Sequence, residues 1–218
     1  MAERYKTVYQ GGTGEIIEKK SRFIATVIPI ASEEEAIAFI DSMKKKYWDA
    51  THNCSAYVLG RNHELARCSD DGEPQKTAGR PMLDVLLGEG IHNTAVVVTR
   101  YFGGTLLGTG GLVRAYQGAA KEGLKNSLII EKIYGTPLTI RTDYNGIGKI
   151  QYLIAQNQLT TLSTEYTDTV TVQVLLTPEE LGSFTKKVME ATNGRAVLEP
   201  GDPVYFADVS GEIMLFES

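Results

Sequence analysis

The apolar positions of this chain change rhythm several times, and each change marks an element. Residues 15–30 form two strand-like runs broken at Lys19-Lys20-Ser21-Arg22, the pattern of a hairpin or bulge. Ser32-Glu33-Glu34-Glu35 is a capping box, and Ile37, Ile40 and Met43 follow at helical spacing. That helix should end in Lys44-Lys45-Lys46, whose cations complement the negative end of its dipole. Polar residues from Asp49 to Asn53 lead into a strand that runs to about Leu59. Pro81 suits the first turn of a helix with Met82, Val85 and Leu86 on its apolar face and Gly88 or Gly90 at its end. Thr94–Tyr101 is an apolar run of the kind that makes a buried central strand. Leu112, Tyr116, Ala119 and Ala120 then mark one face of a helix starting near Gly110, before a closing strand from Leu128 to Tyr134.

Gly135-Thr136-Pro137 reads as a linker, and the pattern beyond it is simpler. A strand at Leu138–Thr142 precedes a helix near Asn145–Asn157 and two strands, Thr160–Tyr166 and one carrying Val170, Val172 and Val174. Thr177-Pro178-Glu179-Glu180 opens a second helix, with Leu181, Phe184 and Val188 inward and Gly194 at its end, and a last strand lies near Arg195–Leu198. The order β-α-β-β-α-β predicts a ferredoxin-like sandwich. The expected fold class is therefore α+β in two domains, an α/β domain over residues 1–135 and a ferredoxin-like domain over residues 136–218.

Composition adds a constraint on where chemistry can sit. A chain of 218 residues with 42% hydrophobic and 22% charged residues has the make-up of an ordinary soluble protein of two units. No membrane-length apolar run and no signal-peptide core occur, and Cys54 and Cys68 offer no disulfide framework, so a cytoplasmic protein without a membrane partner is expected. The net charge of −5 is unevenly spread: residues 1–135 hold 17 Lys and Arg against 16 Asp and Glu, while residues 136–218 hold 5 against 11. Any contact with a polyanion belongs to the first part.

Two clusters there could carry chemistry. The stretch Arg100–Tyr116 contains the pairs Gly103-Gly104 and Gly110-Gly111 between a strand and a helix. Paired glycines permit close backbone approach, and the helix start would aim its free N–H groups at the same place, with Arg100 and Arg114 nearby. This is an anion-binding layout, although it is neither a Walker A loop nor a dinucleotide fingerprint, and no cofactor is expected. Lys20 and Arg22 would add phosphate contacts. The plain alternative is a tight strand-to-helix corner. The second cluster is Asp70, Asp71 and Glu73 around Gly72, three carboxylates on one turn that need a metal ion, the N–H groups of a helix start, or Arg and Lys partners. No EF-hand spacing is present and no metal is assigned. His52, with Asp49 before it and Cys54 after it on the same face, completes the polar set.

Together the motifs Lys20-Ser-Arg-Phe23, Asp49-Ala-Thr-His52-Asn-Cys54, Asp70-Asp-Gly-Glu-Pro74, Thr77-Ala-Gly79 with Pro81-Met82, and Thr99-Arg-Tyr-Phe-Gly-Gly104 continuing to Tyr116 resemble the IMPACT/YigZ family in its bacterial two-domain form. The resemblance implies an N-terminal domain similar to the fourth domain of elongation factor G and a C-terminal domain similar to its fifth. It also implies a role in translation, since the eukaryotic relatives regulate the amino-acid-starvation kinase pathway through a ribosome-associated activator. Three functions follow from the residues together with what the resemblance implies. The first is a non-catalytic binder of RNA or the ribosome, meeting phosphates at Lys20, Arg22, Arg100, Gly103, Gly104, Gly110, Gly111 and Arg114. The second is an enzyme for a phosphorylated or nucleotide-like small molecule, with His52, Asp70, Asp71 and Glu73 as acid–base groups. The third is a protein-interaction module in translation control, whose carboxylates merely pair with Arg100 or Arg114.

Overall fold

The basic break at residues 19–22 is a tight hairpin turn. In the computed structural model, which describes residues 4–216, strand β1 (Arg4–Gln10) is followed by β2 (Thr13–Glu18) and β3 (Ser21–Pro29), paired antiparallel about Lys19 and Lys20. Those two residues have φ of 44° and 65°, the paired positive values of a two-residue turn that matches strand twist. Helix α1 (Glu33–Lys46) starts at Ser32, whose hydroxyl accepts from the Glu35 N–H at 3.2 Å. Its inward residues are Ala36, Phe39 and Met43, and Ile37 is 50% exposed, so the predicted Ile37-Ile40-Met43 face is rotated toward the bulkier Phe39.

Strands β4 (His52–Leu59) and β5 (Leu65–Ser69), helix α2 (Gly79–Gly88), strands β6 (Ile91–His92) and β7 (Thr94–Tyr101), and helix α3 (Gly108–Lys125) complete this unit, which spans Tyr5–Ile130. The sheet runs β2-β3-β7-β4-β5 with every neighbour antiparallel, while β1 pairs in parallel with β6. The apolar run at 94–101 is thus the central strand, as its composition requires. Its alternation sorts the unit into layers. Val96 and Val98 face α2 and α3 together with Ala56, Val58 and Leu86, whereas Ala95 and Val97 face α1 with Phe39 and Tyr57. Arg100 continues the Val96-Val98 parity and so enters the α2/α3 side.

The second unit begins at Glu131 and takes in Arg4, which lies 4.0 Å from Glu131. Here the linker reading is corrected. Strand β8 (Leu128–Thr142) runs unbroken through Gly135-Thr136-Pro137, and the units divide between Ile130 and Glu131 rather than at 135/136. Gly135 marks close packing, because a Cβ there would sit 2.8 Å from the Phe206 ring. Helix α4 (Ile147–Gln156), strands β9 (Thr160–Tyr166) and β10 (Val170–Leu176), helix α5 (Pro178–Ala191) and strand β11 (Val197–Pro200) follow. The order β11-β8-β10-β9, all antiparallel, is the ferredoxin-like arrangement, and Ile140, Ile150, Val172, Phe184 and Val188 lie in its core. The hairpin β12 (Val204–Val209) and β13 (Glu212–Phe216), absent from the sequence reading, pairs through β12 with residues 133–135 of β8. Among the described residues no helix is long and apolar enough to cross a membrane.

Candidate functional site

Three strands set one row of side chains on the α2/α3 side of the first sheet. Arg100 lies opposite Phe23 on β3 and opposite His52 on β4, so the register places an arginine, an aromatic ring and an imidazole abreast. Arg100 is only 5% exposed. Its Nη1 donates to Glu73 Oε1 at 2.6 Å, its Nη2 reaches Ser21 Oγ at 3.4 Å, and its guanidinium lies 5.4 Å from the Phe23 ring and 5.5 Å from the Phe102 ring. Arg100 is therefore not a solvent-facing phosphate contact. Parity along β7 turns it inward, and a buried carboxylate holds it there.

Glu73 receives a second donor, the Tyr116 hydroxyl, on Oε1 at 2.7 Å. Cys54 Sγ donates to the Asp70 carbonyl at 3.0 Å and lies 3.3 Å from Tyr116 Oη. Burial, the leading cause in both groups, pushes the Cys54 thiol and the Tyr116 phenol upward, and Glu73 adds to both shifts. Neither is poised as a nucleophile at neutral pH. The Glu73 Oε2 faces His52 Nε2 at 3.8 Å, too long for a hydrogen bond, and accepts none from the described residues. His52 is fixed from its other nitrogen, Nδ1, 2.8 Å from the Asp71 carbonyl oxygen.

The other two carboxylates diverge from this point. Asp70 takes the backbone N–H groups of Lys76, Ala78 and Gly79 at 2.8, 3.1 and 2.8 Å, which caps the start of α2. Asp71 takes the Asn53 N–H and the Lys44 ammonium, both at 2.7 Å. Crowding on the 70–73 turn is thus relieved by a helix start, a lysine and an arginine. Among the described residues no group of three or more His, Cys, Asp and Glu is placed to hold a metal ion.

The glycine stretch divides by role. Gly103 packs directly on the Lys20 backbone, where no Cβ could fit, and its N–H donates to Ser21 Oγ at 3.2 Å. Gly104 is exposed in the loop. Helix α3 opens at Gly108, two residues before Gly110; Gly108 takes φ of 73°, a conformation that favours glycine, and no side chain caps the helix. Gly110 and Gly111 fall in its first turn, with Arg114 Nη1 3.5 Å from where a Gly110 Cβ would stand. A recess of about 200 Å³ beside this turn is lined by Lys19, Arg114, Glu18, Gly111 and Leu107. Arg22 is engaged elsewhere, in a two-pronged pair with Glu15 at 2.6 and 2.9 Å that holds the Glu15 carboxyl below its usual range. Lys20 is exposed at the hairpin turn.

A second opening, of about 460 Å³, joins the two clusters: Glu73, Arg100 and His52 line it together with Phe102, Leu106 and Leu112. Sequence reasoning missed Ser21, Tyr116, Phe102 and Leu106 as site residues. The available signal was the apolar trio Phe102, Leu106 and Leu107 inside a glycine-rich loop, where turn chemistry alone calls for polar residues.

These features define a class: a two-unit α+β protein whose first unit seats a buried arginine–glutamate pair beneath a glycine-rich strand-to-helix connection, and whose second is ferredoxin-like. The family model described as the Impact N-terminal domain matches residues 19–124, and one described as Domain of unknown function (DUF1949) matches residues 140–195. The chain is 40% identical over 205 residues to IMPACT family member YvyE of Bacillus subtilis, covering 94% of each chain. It is 36% identical over 178 residues to IMPACT family member YigZ of Escherichia coli, covering 81% of this chain and 87% of that one. A crystal structure of a hypothetical protein shares 34% identity at a TM-score of 0.59 and covers 91% of this chain and 97% of its own. The chain belongs to the IMPACT family.

Proposed function

We propose that this protein acts in translation by binding RNA, on the ribosome, through the first turn of α3 and the neighbouring hairpin turn. The observation that carries this is the uncapped start of α3, with exposed Gly108, Thr109 and Gly110 beside a recess lined by Arg114 and Lys19. Unpaired N–H groups, the positive end of a helix dipole and two cations suit a phosphate and need no base-reading motif. The family resemblance supplies the link to translation. Arg100 leaves the set of phosphate contacts, Arg114 and Lys20 stay in it, and Lys19 joins them.

The test is RNA affinity across a salt series, with co-sedimentation on ribosomal subunits. Arg114→Ala is expected to weaken binding and to lower the slope of log affinity against log salt by about 0.7 to 0.9. Glu18→Gln removes the carboxylate lining the same recess and is expected to tighten binding. Affinity that ignores salt and both substitutions would end the proposal.

One observation favours a second reading, action on a phosphorylated small molecule: His52 and Glu73 line the same cleft as the start of α3. Asp70 and Asp71 give it no support, because their oxygens are committed to α2, Asn53 and Lys44. Absence of turnover with a panel of nucleoside phosphates and sugar phosphates would remove it.

A further inference from the structure

The larger cleft offers more than the phosphate surface uses, and the following rests on the RNA-binding reading. Its volume of about 460 Å³ falls in the range of small-ligand sites. Its wall combines Phe102, which is 46% exposed, and Leu106, which is 82% exposed, with the carboxylate of Glu73. The Glu73 side chain is 3% exposed, lines the cleft, and has one oxygen, Oε1, that already accepts from Arg100 and Tyr116. The other, Oε2, accepts no hydrogen bond from the described residues and is not shut off from solvent, so it is open to a donor that enters the cleft. The complement is a flat apolar body with an N–H donor on its edge.

Position narrows the chemistry further. Leu107 lines both this cleft and the basic recess under Arg114, so the two openings share a wall at the start of α3. A flat N–H donor in one and a phosphate in the other describe a single nucleotide. We propose that the cleft receives one nucleobase bearing an exocyclic amino group, unstacked from its strand. The amino group donates to Glu73 Oε2 and the ring lies against Phe102 and Leu106, while the attached phosphate meets the first turn of α3. Uracil suits the site less, because carbonyl oxygens flank its only ring N–H and would face the carboxylate. The nucleotide comes from an RNA strand or from the free pool.

The test compares binding of adenine, cytosine and uracil oligoribonucleotides, an abasic ribose-phosphate strand and free adenosine monophosphate to the full chain. Phe102→Ala and Leu106→Ala are suitable variants because both side chains reach solvent, and the unfolding midpoint of each variant checks that it is folded. The expected result is that adenine and cytosine strands bind more tightly than uracil and abasic strands. Each rim substitution should weaken the first two by about tenfold and leave the abasic strand unchanged. Equal affinity for all strands, or indifference to both rim variants, overturns the cleft assignment and leaves the phosphate surface standing. If Arg114→Ala changes nothing for any strand, the RNA reading fails and the monophosphate decides. Binding of the monophosphate that Phe102→Ala weakens assigns the cleft to free nucleotide, and no binding overturns the assignment.

Discussion

Arg100 and Glu73 are 5% and 8% exposed, and at that depth an ion pair is better understood by what its loss costs than by what it adds. Both charges are desolvated, and their attraction roughly offsets that penalty, but removing one partner strands the other. Arg100→Met is therefore expected to lower unfolding stability by about 3 to 5 kcal/mol in urea titration, and Arg100→Met with Glu73→Leu to recover most of it. Tyr116→Phe removes one donor to the carboxylate and should cost about 1.5 to 3 kcal/mol. An unchanged urea midpoint in Arg100→Met would show that the pair does not hold this site together. The cysteines make a second residue-scale prediction. Burial, followed by the nearby carboxylates Glu73, Asp71 and Asp70, pushes the Cys54 thiol up, whereas Cys68 is exposed. A disulfide-exchange reagent at neutral pH should titrate one thiol in the native protein and a second only in denaturant. Rapid reaction of both would contradict the buried position of Cys54.

The elements read most easily from sequence are those whose local chemistry agrees with their surroundings. Helix α1 is one: Ser32 accepts from the Glu35 N–H, and the Glu35 carboxylate reaches back to the Ala31 N–H at 2.7 Å. Ser32→Ala is expected to cost about 1 kcal/mol of stability, measured by thermal or urea unfolding, and an effect below about 0.3 kcal/mol would mean that packing alone sets where this helix starts. Strand β7 and helix α3 were legible for the same reason, as an apolar run and a periodic face. What was misread had two causes. Gly135 looked like a linker residue because sequence cannot distinguish a glycine needed for a turn from one needed by the ring of Phe206 packed against it. The β12–β13 hairpin did carry a signal, Ser210-Gly211 between two apolar runs, and those residues have φ of 56° and 93°. Arg100 was legible too, since the period-two rule alone places it on the face of Val96 and Val98. That His52, Glu73 and the glycine loop meet in one cleft was not legible. It depends on the β4–β7 register, which sets His52 opposite Arg100 and links residues 48 positions apart.

At the scale of the whole chain, the titratable groups are as unevenly placed as the charges. The three histidines, His52, His63 and His92, all lie in the unit Tyr5–Ile130, so mild acid acts on that unit first. His92 is the group to watch. Its Nδ1 lies 3.0 Å from the Gly60 carbonyl oxygen, its ring stacks on His63 with centroids 4.0 Å apart, and Tyr5 packs edge-on at 5.7 Å. Burial is the leading cause that lowers its pKa, with the neighbouring His63 adding to it, while the Gly60 hydrogen bond and Glu64 act in the opposite sense. With a folded-state pKa below the ordinary value of about 6.5, the unfolded chain binds more protons than the folded one through this window. Stability therefore rises with pH across it: the contribution is intact above about 6.5 and is lost as pH falls toward the folded-state pKa. Strand β6 holds His92 against β1, where Thr7 Oγ1 donates to the His92 carbonyl at 2.9 Å, so the loss should be felt at that parallel pair first. Hydrogen-exchange protection, corrected for intrinsic rates, should fall between pH 7.5 and 5.5 in residues 5–10 and 91–98 while the core of residues 138–198 keeps its protection. The same comparison in His92→Gln should show little change with pH. A fall of equal size in both units, or one that persists in His92→Gln, would place the acid sensitivity elsewhere, in carboxylates common to the two units.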